Sequence, residues 1–351
     1  MQTPQAIGFA GEDGWPVGVE RRGWTAAEFD RAAATHHISV TERELLLGLV
    51  EMTRREALPV TGITREAFSH PALAPMFVRL ARILKWGQGL LVVSGFPVRD
   101  LSRDDLWRMY WGIGSHLGVA VSQNTFGQLQ GEVTVTPGIR TGRVYGTAAE
   151  APFHADRIDI LALLCVNKAK LGGDNGFVSG YAVWEAIERE RPDLFRILAE
   201  GFPQDRNGEQ APGEPGPTPF RVPIFADYQG LRTCLFSGNA FLHHQRERFA
   251  DQLTDRHVEA LEYLRATIDR PEYALRLTLE PGEAVFINNM EMLHSRDAFE
   301  DGDTPEQKRL LLRLWLEGRP WRPKPVTMEV IRNRSGRQGI DPQPQPAGNA
   351  A

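Results

Sequence analysis

The sequence predicts an α+β protein: a double-layered antiparallel β core with helices flanking it. Three observations carry that expectation. Residues 309–316 alternate without a break, with Leu310, Leu312, Leu314 and Leu316 on one face and Arg309, Leu311, Arg313 and Trp315 on the other, the period of a strand. From residue 118 onward most apolar runs are short and bounded by proline or glycine, as in a β core. Ahead of them, and in two interruptions, apolar residues recur at helical spacing.

Taken in order, Thr41 with Glu44 has the capping-box spacing ahead of Leu45-Leu46-Leu47 and predicts a helix over about 42–57. Leu73, Met76, Phe77, Leu80 and Ile83 form one apolar face of a second helix over 71–85. Gly89 to Gly95 encloses Leu90-Leu91-Val92-Val93, a buried strand. Ser102 caps a helix carrying Leu106, Met109, Tyr110, Ile113 and Leu117. Residues 179–199 read as two helices broken at Pro192, and 254–268 as another with Val258, Leu261, Leu264 and Ile268 on one side. Leu275, Leu277 and Leu279 alternate, Pro281-Gly282-Glu283 turns, and Ala284-Val285-Phe286-Ile287 begins the next strand. Residues 1–88 are expected as a helical lead-in on the core, 89–320 as the main domain, and 321–351 as a tail, partly flexible and from about Arg332 fraying or lying on the surface.

The 351 residues, 42% apolar and 24% charged, suit an ordinary soluble protein. A net charge of −5 argues against a general nucleic-acid binder. No run is long enough to span a bilayer, and the first residues lack the pattern of a signal peptide. Cys165 and Cys234 make neither a disulfide framework nor a zinc motif, so a reducing cytoplasm is the expected location. Homo-oligomerisation is left open.

The chemistry is carried by Phe153-His154-Ala155-Asp156, by Leu293-His294-Ser295-Arg296, and by the arginines that follow. His154 and Asp156 share parity, so an extended segment presents both to one point, and His294 must arrive from elsewhere. Two imidazoles and one carboxylate on one face of an octahedral metal leave three positions open, the arrangement of non-haem iron(II) oxygenases. His-X-Asp alone is a weak signal that chance supplies easily. Arg309 and Arg313 strengthen it: inward-facing guanidiniums need an anionic partner, and a dicarboxylate is one. A structural ion pair or a solvent-facing arginine is the alternative.

The ordered set His154-X-Asp156, Gly172-Gly173-Asp174, Asn288-Asn289, His294-Ser295-Arg296 and Arg309-X3-Arg313 resembles the taurine dioxygenase-like (TauD/TfdA) branch of the iron(II)/2-oxoglutarate-dependent oxygenases, of which clavaminate synthase is a related member. The resemblance spans about residues 89–315. It implies a double-stranded β-helix (a cupin-like jelly roll), with Fe(II) held by His154, Asp156 and His294. It assigns Arg309 to the 2-oxoglutarate C5 carboxylate and Arg313 to a place near co-substrate or substrate. The family commonly has Thr after its Gly-Gly-acid triplet; here Asn175 stands there, an amide that can still donate. Related halogenases have a small residue at the carboxylate position, so Asp156 favours hydroxylation or another oxidative outcome over halogenation.

The implied reaction consumes 2-oxoglutarate and O2, oxidises an unactivated C–H of a small molecule, and releases succinate and CO2. Arg140 and Arg143, just before the metal motif, are candidate contacts for an anionic substrate group, and Gln123 and Asn124 are candidates in the same mouth. The loop from Gln204 to Pro219 is long enough for a lid. Desaturation or cyclisation of a natural-product intermediate would use the same residues. A jelly-roll metal enzyme that uses no oxygen, or a binding protein, is the reading from a different class.

Overall fold

Fifteen strands and six α-helices form the regular structure among the described residues of the computed structural model, which are 14–135, 146–238 and 248–343. The larger sheet holds β1 (Thr35–His37), β2 (Leu90–Ser94), β3 (Gly118–Ala120), β4 (Gly131–Val133), β6 (Ile160–Asn167), β12 (Glu283–Asn288) and β15 (Leu310–Gly318). Its order is β1-β2-β12-β6-β15-β3, with β4 also paired to β15. The smaller sheet has the order β11 (Leu275–Leu277), β8 (Asn175–Ser179), β13 (Met292–Arg296), β5 (Ala151–His154). Two short antiparallel pairs complete the set: β7 (Leu171–Gly172) with β14 (Phe299–Glu300), and β9 (Phe225–Tyr228) with β10 (Leu231–Cys234).

The chain steps between the two main sheets. It runs from β4 in the larger to β5 in the smaller, back to β6, across to β8 and β11, back to β12, across to β13, and home to β15. That winding is the double-stranded β-helix. Apart from the parallel β1–β2 pair, every ladder in the two sheets is antiparallel.

Strands β2, β6, β12 and β15 of the larger sheet read as nearly continuous apolar runs because both of their faces are buried. On β6, Leu161, Leu163 and Cys165 enter the core between the sheets, whereas Ile160, Ala162, Leu164 and Val166 enter a second core under the helices. On β15, Leu312, Leu314 and Leu316 join that second core, and Leu311 and Trp315 the first. Truncating a residue such as Leu164 to Ala would cost about 2–5 kcal/mol.

Helices α1 (Val40–Arg55), α2 (Ala74–Trp86) and α3 (Arg103–Ser115) cover the outer face of the larger sheet. Helices α4 (Gly180–Glu190), α5 (Pro192–Glu200) and α6 (Asp255–Ile268) pack on the other side. Pro192 starts α5 and ends α4, as its missing N–H and fixed φ require.

Three expectations need correction. The capping box of α1 is Ser39 with Glu42, two residues earlier than Thr41 with Glu44, and the helix starts at Val40 accordingly. The lead-in also contains a strand, β1, which pairs in parallel with β2. Over its described residues, to 343, the tail neither frays nor lies wholly on the surface: Gln338 and Ile340 are buried, and the Ile340 N–H donates to Ser122 O at 3.0 Å.

Candidate metal and co-substrate site

Strands β13 and β5 place the two histidines. His294 and His154 are register partners, which puts both side chains on the inter-sheet face. His154 Nδ1 lies 2.8 Å from Pro152 O. A carbonyl only accepts, so Nδ1 carries a proton, and in the neutral ring the lone pair is on Nε2. Asp156 lies beyond the end of β5, where Asn289 grips its backbone: the Asn289 carboxamide oxygen accepts from Asp156 N at 3.2 Å, and its amide donates to Asp156 O and Ile158 O. The fully buried Asn289 thereby sets a bend that parity alone does not supply.

One ligand atom from each of His154, Asp156 and His294 lies within 4.8 Å of the others. His154 Nε2 is 3.8 Å from Asp156 Oδ1, and Trp315 Nε1 donates to Asp156 Oδ2 at 3.0 Å. His294 Nδ1 is buried and has no hydrogen-bond partner. Burial, and then the neighbouring His154, push the His294 imidazole down to about 3, so it is neutral; Asp156 opposes that shift.

The arginines approach on the same face. Arg309 immediately precedes β15; it is 4% exposed, and its Nη1 is buried without a hydrogen-bond partner. Burial, reinforced by Arg296, draws its guanidinium down to about 10. The Phe299 ring lies under both arginines, 5.0 Å from Arg296 Cζ and 5.3 Å from Arg309 Cζ. Arg296 donates to the carbonyls of Thr147 and Ala149. A cavity beside Arg309 is lined by Gly173, Asn175, Cys165 and Leu311 among others. Asn175 opens β8 and pairs with Arg296, so it faces inward like His294.

Arg313 is also buried, and its Nε donates to Gln123 Oε1. Gln123, expected as a substrate contact, is fully buried and committed to the protein; its amide donates to Leu129 O and Arg313 O at 3.0 and 3.2 Å. Asn124 is committed as well: its oxygen accepts from Phe126 N and Gln128 N and its amide donates to Gln128 Oε1, an Asx turn. Arg140 and Arg143 lie outside the described residues. The loop from Gln204 to Pro219 is tied down beside the site, with Arg157 donating to Asp205 O at 3.1 Å and Gln343 to Gln210 O at 2.8 Å.

Trp315 and Phe299 were not anticipated as parts of the site, and Asn289, although in the motif set, was given no role as a backbone clamp. For Trp315 a signal existed, since it shares the inward face of β15 with Arg313. Nothing local marks Phe299, whose two cations come from different elements.

A family model described as taurine catabolism dioxygenase TauD, TfdA family matches residues 56–315. FR-33289 synthase of Streptomyces rubellomurinus is 28% identical over 317 residues, covering 88% of this chain and 93% of that protein. Gamma-butyrobetaine dioxygenase of a Pseudomonas species is 27% identical, covering 44% of this chain and 40% of that one. Among solved structures, asparagine oxygenase with Fe(II), hydroxyasparagine and succinate has a TM-score of 0.65 at 16% identity, covering 88% of this chain and all of its own. The non-heme iron oxygenase OrfP with Fe, succinate and hydroxyarginine has a TM-score of 0.57 at 13% identity, covering 80% and 94%. Both share the fold described above.

Proposed function

The chain belongs to the taurine catabolism dioxygenase TauD, TfdA family and is an oxygenase, and from that premise we propose that it uses iron(II) and 2-oxoglutarate to hydroxylate an unactivated C–H of a small molecule. The observation that carries this reading is one inter-sheet face holding both a His154–Asp156–His294 cluster within 4.8 Å and a buried, unpartnered Arg309 guanidinium nitrogen.

The residues fit the metal. His154 spends its Nδ1 proton on Pro152 and keeps the Nε2 lone pair, and His294 is neutral with an orphaned buried nitrogen, the states that ligate. Two imidazoles and a carboxylate on one side suit iron(II) with open positions. When bound, iron and 2-oxoglutarate supply the oxidising chemistry, spending O2 and releasing succinate and CO2.

The chain's own part is binding and positioning. Arg309 holds the distal carboxylate of 2-oxoglutarate, which relieves its uncompensated burial. Asn175, in the wall of the same cavity, donates its amide to that co-substrate. Arg313, held by Gln123, directs positive charge beside His294, where a carboxylate of co-substrate or substrate is stabilised. Arg140 and Arg143 are kept as contacts for an anionic substrate. The apolar inter-sheet core behind these groups excludes water. Two buried free thiols accord with a reducing cytoplasm as the site of action.

The test is direct. Anaerobic addition of Fe(II) and 2-oxoglutarate should produce a weak visible charge-transfer band, and a screen of small acidic and amino-acid-like molecules should find one that drives O2-dependent succinate formation. Alanine at His154, Asp156 or His294 should abolish both signals. Succinate formation retained in all three variants would sink the reading.

A further inference from the structure

Trp315 lies two residues beyond Arg313 on β15 and is buried between the sheets. Its indole N–H donates to Asp156 Oδ2 at 3.0 Å, while Oδ1 of the same carboxylate lies 3.8 Å from His154 Nε2. The two oxygens of Asp156 are thereby made unequal before any metal arrives. An indole offers one N–H and no acceptor, so this single bond couples the rotation of the ring to that of the carboxylate.

The ring is restrained from its other side. The Arg313 guanidinium carbon is 5.7 Å from the ring centroid, and Arg313 Nε is in turn bound to the buried Gln123. The Asp156 backbone is independently clamped by Asn289. With its backbone held, the carboxylate is oriented by its two side-chain torsions, and the Trp315 N–H restrains them by holding Oδ2.

We propose that Trp315 is a positioning residue that makes Asp156 a one-oxygen metal ligand: the indole N–H occupies Oδ2 and turns Oδ1 toward the two imidazoles. A carboxylate free to bind through both oxygens would take a further position on the metal, one that co-substrate or O2 must enter. The inference rests on the reading of His154, Asp156 and His294 as iron ligands. It adds that β15, which carries Arg313 and follows directly on Arg309, also orients the metal carboxylate, through Gln123, Arg313 and Trp315 in sequence.

The experiment measures Fe(II) affinity without turnover, by anaerobic titration against a competing chelator, in the wild type, Trp315→Phe and Asp156→Ala. A fourth protein carries 3-benzothienylalanine at position 315, in which sulfur replaces the indole N–H at nearly unchanged shape. Trp315→Phe and the sulfur analogue should both weaken Fe(II) binding by about 10–100-fold, with the analogue's metal-free melting temperature equal to that of the wild type. An affinity unchanged in the sulfur analogue overturns the proposal whatever Trp315→Phe does, because shape alone would then suffice. Equal affinity in wild type and Asp156→Ala would instead sink the iron reading itself, and this proposal with it.

Discussion

His294 and His154 face each other as register partners across β13 and β5, with ring centroids 4.2 Å apart. Burial, and then the neighbouring His154, disfavour protonation of His294. The metal-free fold is therefore set up for a cation other than the proton.

A pH dependence follows from His294. Burial and then His154 bring it from an ordinary 6.5 to about 3. Between those values the unfolded chain binds a proton that the folded chain does not. Stability of the metal-free protein should be fully present above about 6.5 and lost as pH falls toward 3, with up to about 1.4 kcal/mol per pH unit from this group. Denaturant unfolding across that window reads the slope. His294→Leu should have the shallower one, and equal slopes in the two proteins would contradict the account.

Arg309 carries a second prediction. A buried cation with an unpartnered nitrogen is a cost to the empty protein that a carboxylate removes. Arg309→Met should raise the KM for 2-oxoglutarate by about 100-fold, equivalent to ~3 kcal/mol for a charge-assisted contact. Fe(II) affinity and the metal-free melting temperature should not fall. Succinate formation against 2-oxoglutarate concentration measures the first; a KM unchanged in the variant would remove Arg309 from the co-substrate site.

Much of this could be read in advance because periodicity reports burial. The alternation over 309–316 correctly assigned Leu312 and Leu314 to one core and Leu311 and Trp315 to the other. The His-X-Asp motif, the distant His294 and the two arginines are residue types whose chemistry survives without coordinates. What escaped depends on long-range contacts. Gln123 meets Arg313 across 190 positions, and Trp315 meets Asp156 across 159. An isolated Gln beside an Asn looks like a polar rim, and only the paired strands reveal it as a buried support. The α1 cap was misplaced because Ser39 and Thr41 both precede an acid by three residues, and the competition is settled by local backbone geometry.

Gln123 supplies a third prediction. Its oxygen accepts from Arg313 Nε, and its amide serves two carbonyls. Gln123→Leu should destabilise the protein by about 1–3 kcal/mol, the cost of stranding buried polar groups. Gln123→Glu pairs Arg313 with a carboxylate, which should weaken an anionic ligand's binding while leaving Fe(II) affinity in place, and it should lower the melting temperature too because its oxygen faces the Leu129 and Arg313 carbonyls. Thermal melting and steady-state kinetics separate these effects, and an unchanged KM for both co-substrate and substrate in Gln123→Glu would deny Arg313 a binding role.

Gly173 tests how tightly the co-substrate arginine is held. Its φ is +79°, a left-handed conformation that costs an L-residue about 1–2 kcal/mol. A Cβ built there would stand 3.1 Å from Arg309 Nε and 3.3 Å from both Arg309 Cδ and Phe299 Cβ. Gly173→Ala should thus strain the backbone and also push Arg309 off its position over Phe299. Gly336 separates the two effects, since its φ is +76° and a Cβ there meets nothing within 4 Å. Both alanine variants should lose about 1–2 kcal/mol of stability, but only Gly173→Ala should raise the KM for 2-oxoglutarate, by about 10-fold for a displacement of a few tenths of an ångström. A KM that moves equally in the two variants would trace the effect to global loosening and not to Arg309.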